Sequence, residues 1–246
     1  MTWPEAEELR RAGAIVLVPV GSTEAHGPHL PLSTDVLISE ELCARAAGAL
    51  ETRGTACAAA PPLSYAVTEY AGGFAGTLTL ARDTAVALVR DVCLALHRQG
   101  FTRVVLVNSH LEPDHLETVR EGAARAEAAT GSKVCFPDAC SRRWARTLTE
   151  EFKKGACHAG SYETSLVLAA RPGLVREEIR SGLPAKPIDL AQAMRGGVKT
   201  FQEAGADRAY FGDPAAASSG HGEEIYGLLL DMVLTEIGET WPGRRG

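Results

Sequence analysis

No stretch of this 246-residue chain is apolar over the roughly 20 residues that a bilayer-spanning helix needs, so a helical membrane anchor is excluded. Basic clusters are equally scarce, with nothing longer than adjacent pairs such as Arg142-Arg143 and Arg244-Arg245. Together with 25 basic against 31 acidic residues and a net charge of −6, this argues against nucleic acid as a partner, because phosphate-binding surfaces need grouped cations. The cysteines at 43, 57, 93, 135, 140 and 157 have no C-x-x-C spacing and read as buried free thiols of a reducing compartment. M-T-W-P-E-A-E-E-L-R-R lacks the basic start and apolar core of a signal peptide, so the expected location is the cytoplasm. No repeat, heptad pattern or linker divides the chain, and residues 1–246 are read as one domain.

What is present is an alternation of apolar, β-branched runs with helix-length segments. The runs are residues 14–20, Thr55 to Ala60, 103–107 and Lys133 to Phe136. With 45% hydrophobic residues available for a core, this pattern predicts an α/β fold, a single three-layer domain with a mainly parallel sheet flanked by helices.

The first run, Ala14-Ile15-Val16-Leu17-Val18, ends at Pro19 and Gly21 and is followed by S-T-E-A-H-G-P-H-L-P-L-S-T-D. Ligands of open α/β sheets collect outside the carboxyl ends of strands, which is where Glu24, His26 and Asp35 emerge. Gly27, Pro28, Pro31 and Ser33-Thr34 are expected to hold this segment as a loop, with a helix following Asp35. Taken alone, Asp35 reads as a helix cap and Glu24 as an exposed carboxylate.

A second cluster changes that balance. Thr102 to Val107 runs directly into Asn108-Ser109-His110-Leu111-Glu112-Pro113. His110 and Glu112 are two apart, so in extended backbone they share a side and reach one metal or two adjacent ones. Asp114 and His115 are left out as the first turn of a helix from Asp114 to Ala129. A third element, Cys157-His158-Ala159-Gly160-Ser161-Tyr162-Glu163, opens another helix. His158 and Glu163 converge only if the histidine lies on the loop and the glutamate on the first turn. Cys157 is read as packing, since attack by a metal-activated water needs no covalent step.

In order along the chain, G-S-T-E-A-H-G-P-H-L-P-L-S-T-D, P-P-L-S-Y-A-V-T-E-Y-A-G-G-F-A-G-T-L-T-L, V-N-S-H-L-E, H-A-G-S-Y-E-T-S and F-G-D-P-A-A-A-S-S-G-H-G resemble the creatininase (creatinine amidohydrolase) family. The resemblance implies two divalent ions, one held by Glu24, Asp35 and His110 and the other by His26, Asp35 and Glu112, with Asp35 bridging. It makes His158 and Glu163 the catalytic proton carriers and places substrate contacts at Thr68, Ser109, Leu111 and Trp144. It also implies a homohexamer, with the segment Ile188 to Gly205 as a mobile or interface region. This chain departs from the N-G-H-G-G-N and H-A-G-E patterns of much of the family, and Glu112 is expected to supply the carboxylate that other branches carry at the position of Ser161.

Carboxylate and imidazole ligands without thiolate suit zinc or manganese, with iron or cobalt compatible. Two such ions lower the pKa of a shared water and polarise a carbonyl, which is the chemistry of amide hydrolysis. A neighbouring acid or base then passes the water proton to the departing nitrogen. The expected substrate is a small-molecule amide: a cyclic amide, a formamide or a small peptide amide. Opening of a lactone or imide, and a metal-binding relative without turnover, are the rival readings.

Overall fold

The computed structural model describes residues 1–242, which leaves Arg244-Arg245 outside the described residues. In chain order the elements are α1 (Trp3–Arg11), β1 (Ile15–Val20), α2 (Thr34–Thr52), β2 (Cys57–Ala59), α3 (Arg82–Arg98), β3 (Arg103–Asn108), α4 (Pro113–Thr130) and β4 (Val134–Cys135), followed by α5 (Arg142–Ala145), α6 (Glu150–Lys153), α7 (Ser161–Ala170), α8 (Glu177–Arg180), α9 (Leu190–Arg195) and α10 (Ser219–Thr240). All four strands are parallel, in the order β2-β1-β3-β4. The expected α/β architecture is present. Its outer strands are shorter than the apolar runs suggested, because β2 and β4 are edges only partly covered.

Side-chain alternation along the strands builds the layers. Ile15, Leu17, Val105 and Val107 face one way into a core with residues of α2, α7 and α10. Val16, Val18, Val20, Val104 and Leu106 face the other, against α3 and α4. Both faces of β1 and β3 are therefore dry, as parallel sheets require.

From β1 the chain crosses outward to β2, and β3 lies on β1's other side, so the strand order reverses between them. Ligand crevices form outside strand ends at such a reversal. The register pairs Val20 with Asn108, the last residues of the two strands. The segments carrying Glu24, His26, Asp35, His110 and Glu112 thus leave the sheet side by side. Among the described residues no helix is long and apolar enough to cross a membrane.

Candidate metal centre

Asp35 is not on a loop ahead of α2, as its surroundings suggested, but inside the helix's first turn. Gly21 allows this: a Cβ there would stand 2.6 Å from the Val36 amide nitrogen, so only glycine lets β1's exit pass so close to the helix. Ser22 then donates its hydroxyl to Asp35 Oδ2 at 2.8 Å. Glu112, with φ −60° and ψ 130°, is the extended residue before α4, and Pro113 begins the helix rather than extending the strand. His158 lies on the loop and Glu163 on the first turn of α7.

The three histidines share one pattern. His26 Nδ1 donates to the Glu24 carbonyl at 3.1 Å, His110 Nε2 to the Val67 carbonyl at 2.9 Å and His158 Nε2 to the Ala25 carbonyl at 2.9 Å. A carbonyl only accepts, so each of these nitrogens carries a hydrogen, and in the neutral imidazole the opposite nitrogen presents a lone pair. Those opposite nitrogens point at carboxylates. His26 Nε2 is 3.1 Å from Asp35 Oδ1, 3.4 Å from Glu163 Oε2 and 3.7 Å from Glu24 Oε1, and it has no hydrogen-bond partner. His110 Nδ1 is 3.0 Å from Asp35 Oδ2 and 3.3 Å from Glu24 Oε1, and His158 Nδ1 is 3.6 Å from Glu24 Oε1.

A neutral imidazole lone pair facing a carboxylate in a buried site is repulsive unless positive charge stands between them. Two donors each roughly 2.1 Å from a tetrahedral ion lie roughly 3.4 Å apart. The observed separations of 3.0–3.7 Å match that spacing. A backbone carbonyl behind each histidine is also what orients metal-ligating imidazoles. The residues present therefore fit divalent ions.

The titration of these groups points the same way. Burial alone would push His26 down, yet Asp35, Glu163 and Glu24 hold it up at about 10. His110 is likewise raised well above its ordinary value against the effect of burial. Burial lifts Glu112 to about 7 and Glu163 to about 8, and lowers His158 to about 4. A cluster of four carboxylates is drawing in positive charge.

The grouping differs from the resemblance-based assignment at one point. Donor atoms of His26, Asp35 and Glu163 lie within 4.8 Å of one another, whereas Glu112 groups with Glu24 and His110. Glu163, not Glu112, is the carboxylate beside His26. Glu112 instead accepts from the amides of Glu69 and Tyr70, at 3.0 and 3.3 Å. The Ser161 amide donates at 3.1 Å to Glu151, a residue the sequence did not single out.

The centre lines a cavity of about 270 Å³ whose remaining wall is largely apolar, including Tyr70, Leu111, Phe152, Leu190, Met194 and Phe201. Of the expected substrate contacts only Leu111 is on that wall. Thr68 is fully buried and donates its hydroxyl to Glu24 Oε2. Ser109 continues the β1–β3 pairing through its amide, 3.1 Å from the Val20 carbonyl. Trp144 is turned away: its indole donates to Glu236 of α10 at 2.6 Å, and the Arg143 guanidinium lies 4.5 Å from its ring. The segment from Ile188 to Gly205, expected to be mobile or an interface, contributes the Leu190, Met194 and Phe201 part of the wall. Phe201 stacks on His158 with ring centroids 4.4 Å apart.

The family model for creatininase, described as creatinine amidohydrolase, matches residues 1–237. The chain belongs to the creatininase family. Among its creatininase-family relatives, the mycofactocin precursor peptide peptidase of Mycobacterium ulcerans is 30% identical over 256 residues, covering 100% of this chain and 89% of that protein. The creatinine amidohydrolase of Pseudomonas putida is 30% identical over 192 residues, covering 71% of this chain and 72% of its own. A manganese creatininase and a zinc–zinc form of a creatininase mutant have the same fold, with TM-scores of 0.76 and 0.75 at 24% identity, each covering 99% of this chain and 97% of theirs. As a creatininase-family hydrolase the chain acts on carbon–nitrogen bonds.

The cysteines match the sequence reading in part. Five are buried and Cys140 is exposed. Burial pushes the Cys157 thiol well above its ordinary value, which suits packing and not nucleophilic attack.

Proposed function

We propose that the chain is a dinuclear amidohydrolase that cleaves an amide bond in a peptide bearing an apolar side chain. The observation that carries this is the set of three histidines, each bonded to a backbone carbonyl on one side and aimed at carboxylates on the other. Glu24, His110 and Asp35 would hold one ion; His26, Asp35 and Glu163 would hold the second. Asp35 suits the bridging position because its two oxygens face different histidines, 3.1 and 3.0 Å away. When bound, a pair of zinc or manganese ions supplies an activated water and polarises the scissile carbonyl.

The protein's own part is binding and proton movement. Glu112, on the cavity wall beside Glu24 and His110, suits a group that takes a proton from the activated water and returns it to the leaving nitrogen. His158, with its hydrogen committed to Ala25, offers Nδ1 as an acceptor at the cavity wall. The apolar wall and the end-to-end similarity to a precursor peptide peptidase favour a peptide. Opening of a small cyclic amide is the second reading, supported by the creatinine amidohydrolase relative. The same reading takes residues 1–246 as one catalytic domain in the cytoplasm. It assembles that domain as a hexamer, and sedimentation as a monomer at micromolar concentration would remove that part.

The test compares Glu163→Gln with Glu112→Gln by metal analysis and by turnover of formamides, cyclic amides and short peptides. Glu163→Gln is expected to bind one ion instead of two. Glu112→Gln is expected to keep both ions and lose turnover by roughly 10²–10⁴-fold, the usual contribution of a proton carrier. Loss of an ion from Glu112→Gln, with two retained in Glu163→Gln, would reverse the assignment.

A further inference from the structure

We propose that Glu151 is a positioning residue of the metal centre, a carboxylate clamp on the turn from His158 to Glu163 that fixes Glu163 against the second cation; this rests on the dinuclear reading above. Glu151 is partly buried on α6 and has no ion pair among the described residues. Its carboxylate is instead filled by backbone donors from two separate segments. Oε1 accepts from Ser161 N at 3.1 Å and Asp213 N at 2.9 Å, and Oε2 accepts from Tyr162 N at 2.7 Å.

Two of these donors are the free amides that open α7, where a carboxylate is favoured by the helix dipole as well as by hydrogen bonding. The backbone is shaped around it. A Cβ on Gly160 would stand 2.8 Å from both carboxylate oxygens, and one on Gly212 would stand 1.9 Å from Oε1. Gly212 also has a φ of +66°, so both space and conformation exclude other residues there.

The clamped segments are those that carry the chemistry. Two residues before Ser161 lies Ala159, held at a φ of +50°, whose amide donates to Glu163 Oε2 at 2.6 Å. Two residues before Asp213, Phe211 donates its amide to the His158 carbonyl at 3.0 Å. A left-handed alanine is a costly conformation and persists only where its surroundings impose it. Glu151 ties the residues that follow this turn to the segment carrying Phe211. The residues after it, Phe152 and Lys153, line the cavity, so one side chain keeps cavity wall and metal ligand in register. Glu24 and His110 are held by other residues, Glu24 by the Thr68 hydroxyl and His110 by the Val67 carbonyl, so the first cation site is independent of the clamp.

The experiment is a cobalt(II) titration of metal-stripped wild type and Glu151→Gln, read by visible absorption and chelator competition, with circular dichroism and Tm on the same samples. Wild type is expected to take up two ions. Glu151→Gln is expected to keep one affinity unchanged and to weaken the other by roughly 10–100-fold, the usual effect of losing a partner behind a ligand, with an altered cobalt spectrum for that ion. Glu151→Asp, which keeps the charge but withdraws the carboxylate, carries the same expectation and covers failure of the glutamine variant to fold. Equal affinities in variant and wild type, or both affinities falling together with Tm, overturns the clamp while leaving the dinuclear reading intact. A wild-type protein that binds fewer than two cobalt ions overturns both.

Discussion

At the scale of single residues, Asp35 carries the strongest prediction. Its oxygens face His26 and His110 separately, so Asp35→Asn removes negative charge from both sides of the centre at once. Both metal affinities are expected to fall, each by more than the roughly 10–100-fold typical of an outer partner, in chelator competition. Thr68 gives a second test, because its hydroxyl is spent on Glu24. Thr68→Val is expected to weaken the ion on the Glu24 and His110 side by roughly tenfold while leaving KM for any substrate unchanged. A rise in KM with normal metal content would return Thr68 to the substrate pocket.

Residue chemistry was legible in the sequence where type and spacing acted together. Glu24, His26 and Asp35 after one strand, and His110 and Glu112 after another, are unusual enough to name, and the structure brings all five together. Which carboxylate faces which histidine was not legible, because it depends on how α7 docks across the strand ends. Glu151 was invisible for a related reason: in T-E-E-F-K it reads as one more helix-surface charge, and only the approach of Gly160 and Gly212 gives it a role.

At the scale of elements, α7 matters most because it delivers Glu163. Its position is set by α10, which crosses it so closely that a Cβ on Gly222 would stand 2.0 Å from the Ser165 carbonyl oxygen and 2.9 Å from Ala169 Cβ. Gly222→Ala must push the helices apart. Overpacking of this kind destabilises by about 1–3 kcal/mol, seen as a lower urea midpoint with an unchanged m-value. Elements with a strong apolar period were read close to their true bounds, α4 among them, expected from Asp114 to Ala129 and found as Pro113–Thr130. The short helices α5, α6, α8 and α9 were not, since each has only four to six residues and is held by contacts from elsewhere in the chain. The amide of Ala191 in α9, bonded to the Lys154 carbonyl at 3.3 Å, is one such contact.

At the scale of the whole molecule, the centre should tie metal binding to folding. Glu24, Asp35, Glu112 and Glu163 are all buried, and their mutual repulsion is a standing cost that positive charge relieves. The unfolded chain cannot hold these residues together, so an ion that binds only the folded state adds RT ln(1 + [L]/Kd), roughly 2.7 kcal/mol at a hundredfold excess over Kd. For a chain of this size each kcal/mol moves Tm by roughly 2–4 °C, so each ion should raise Tm by roughly 5–11 °C. Chelator treatment is expected to lower Tm by that amount per ion, and zinc or manganese to restore it, with Asp35→Asn showing no response to either. An equal Tm with and without chelator, in protein that metal analysis shows to have been loaded, would mean that the buried carboxylates are neutralised by protons on His26 and His110 rather than by cations.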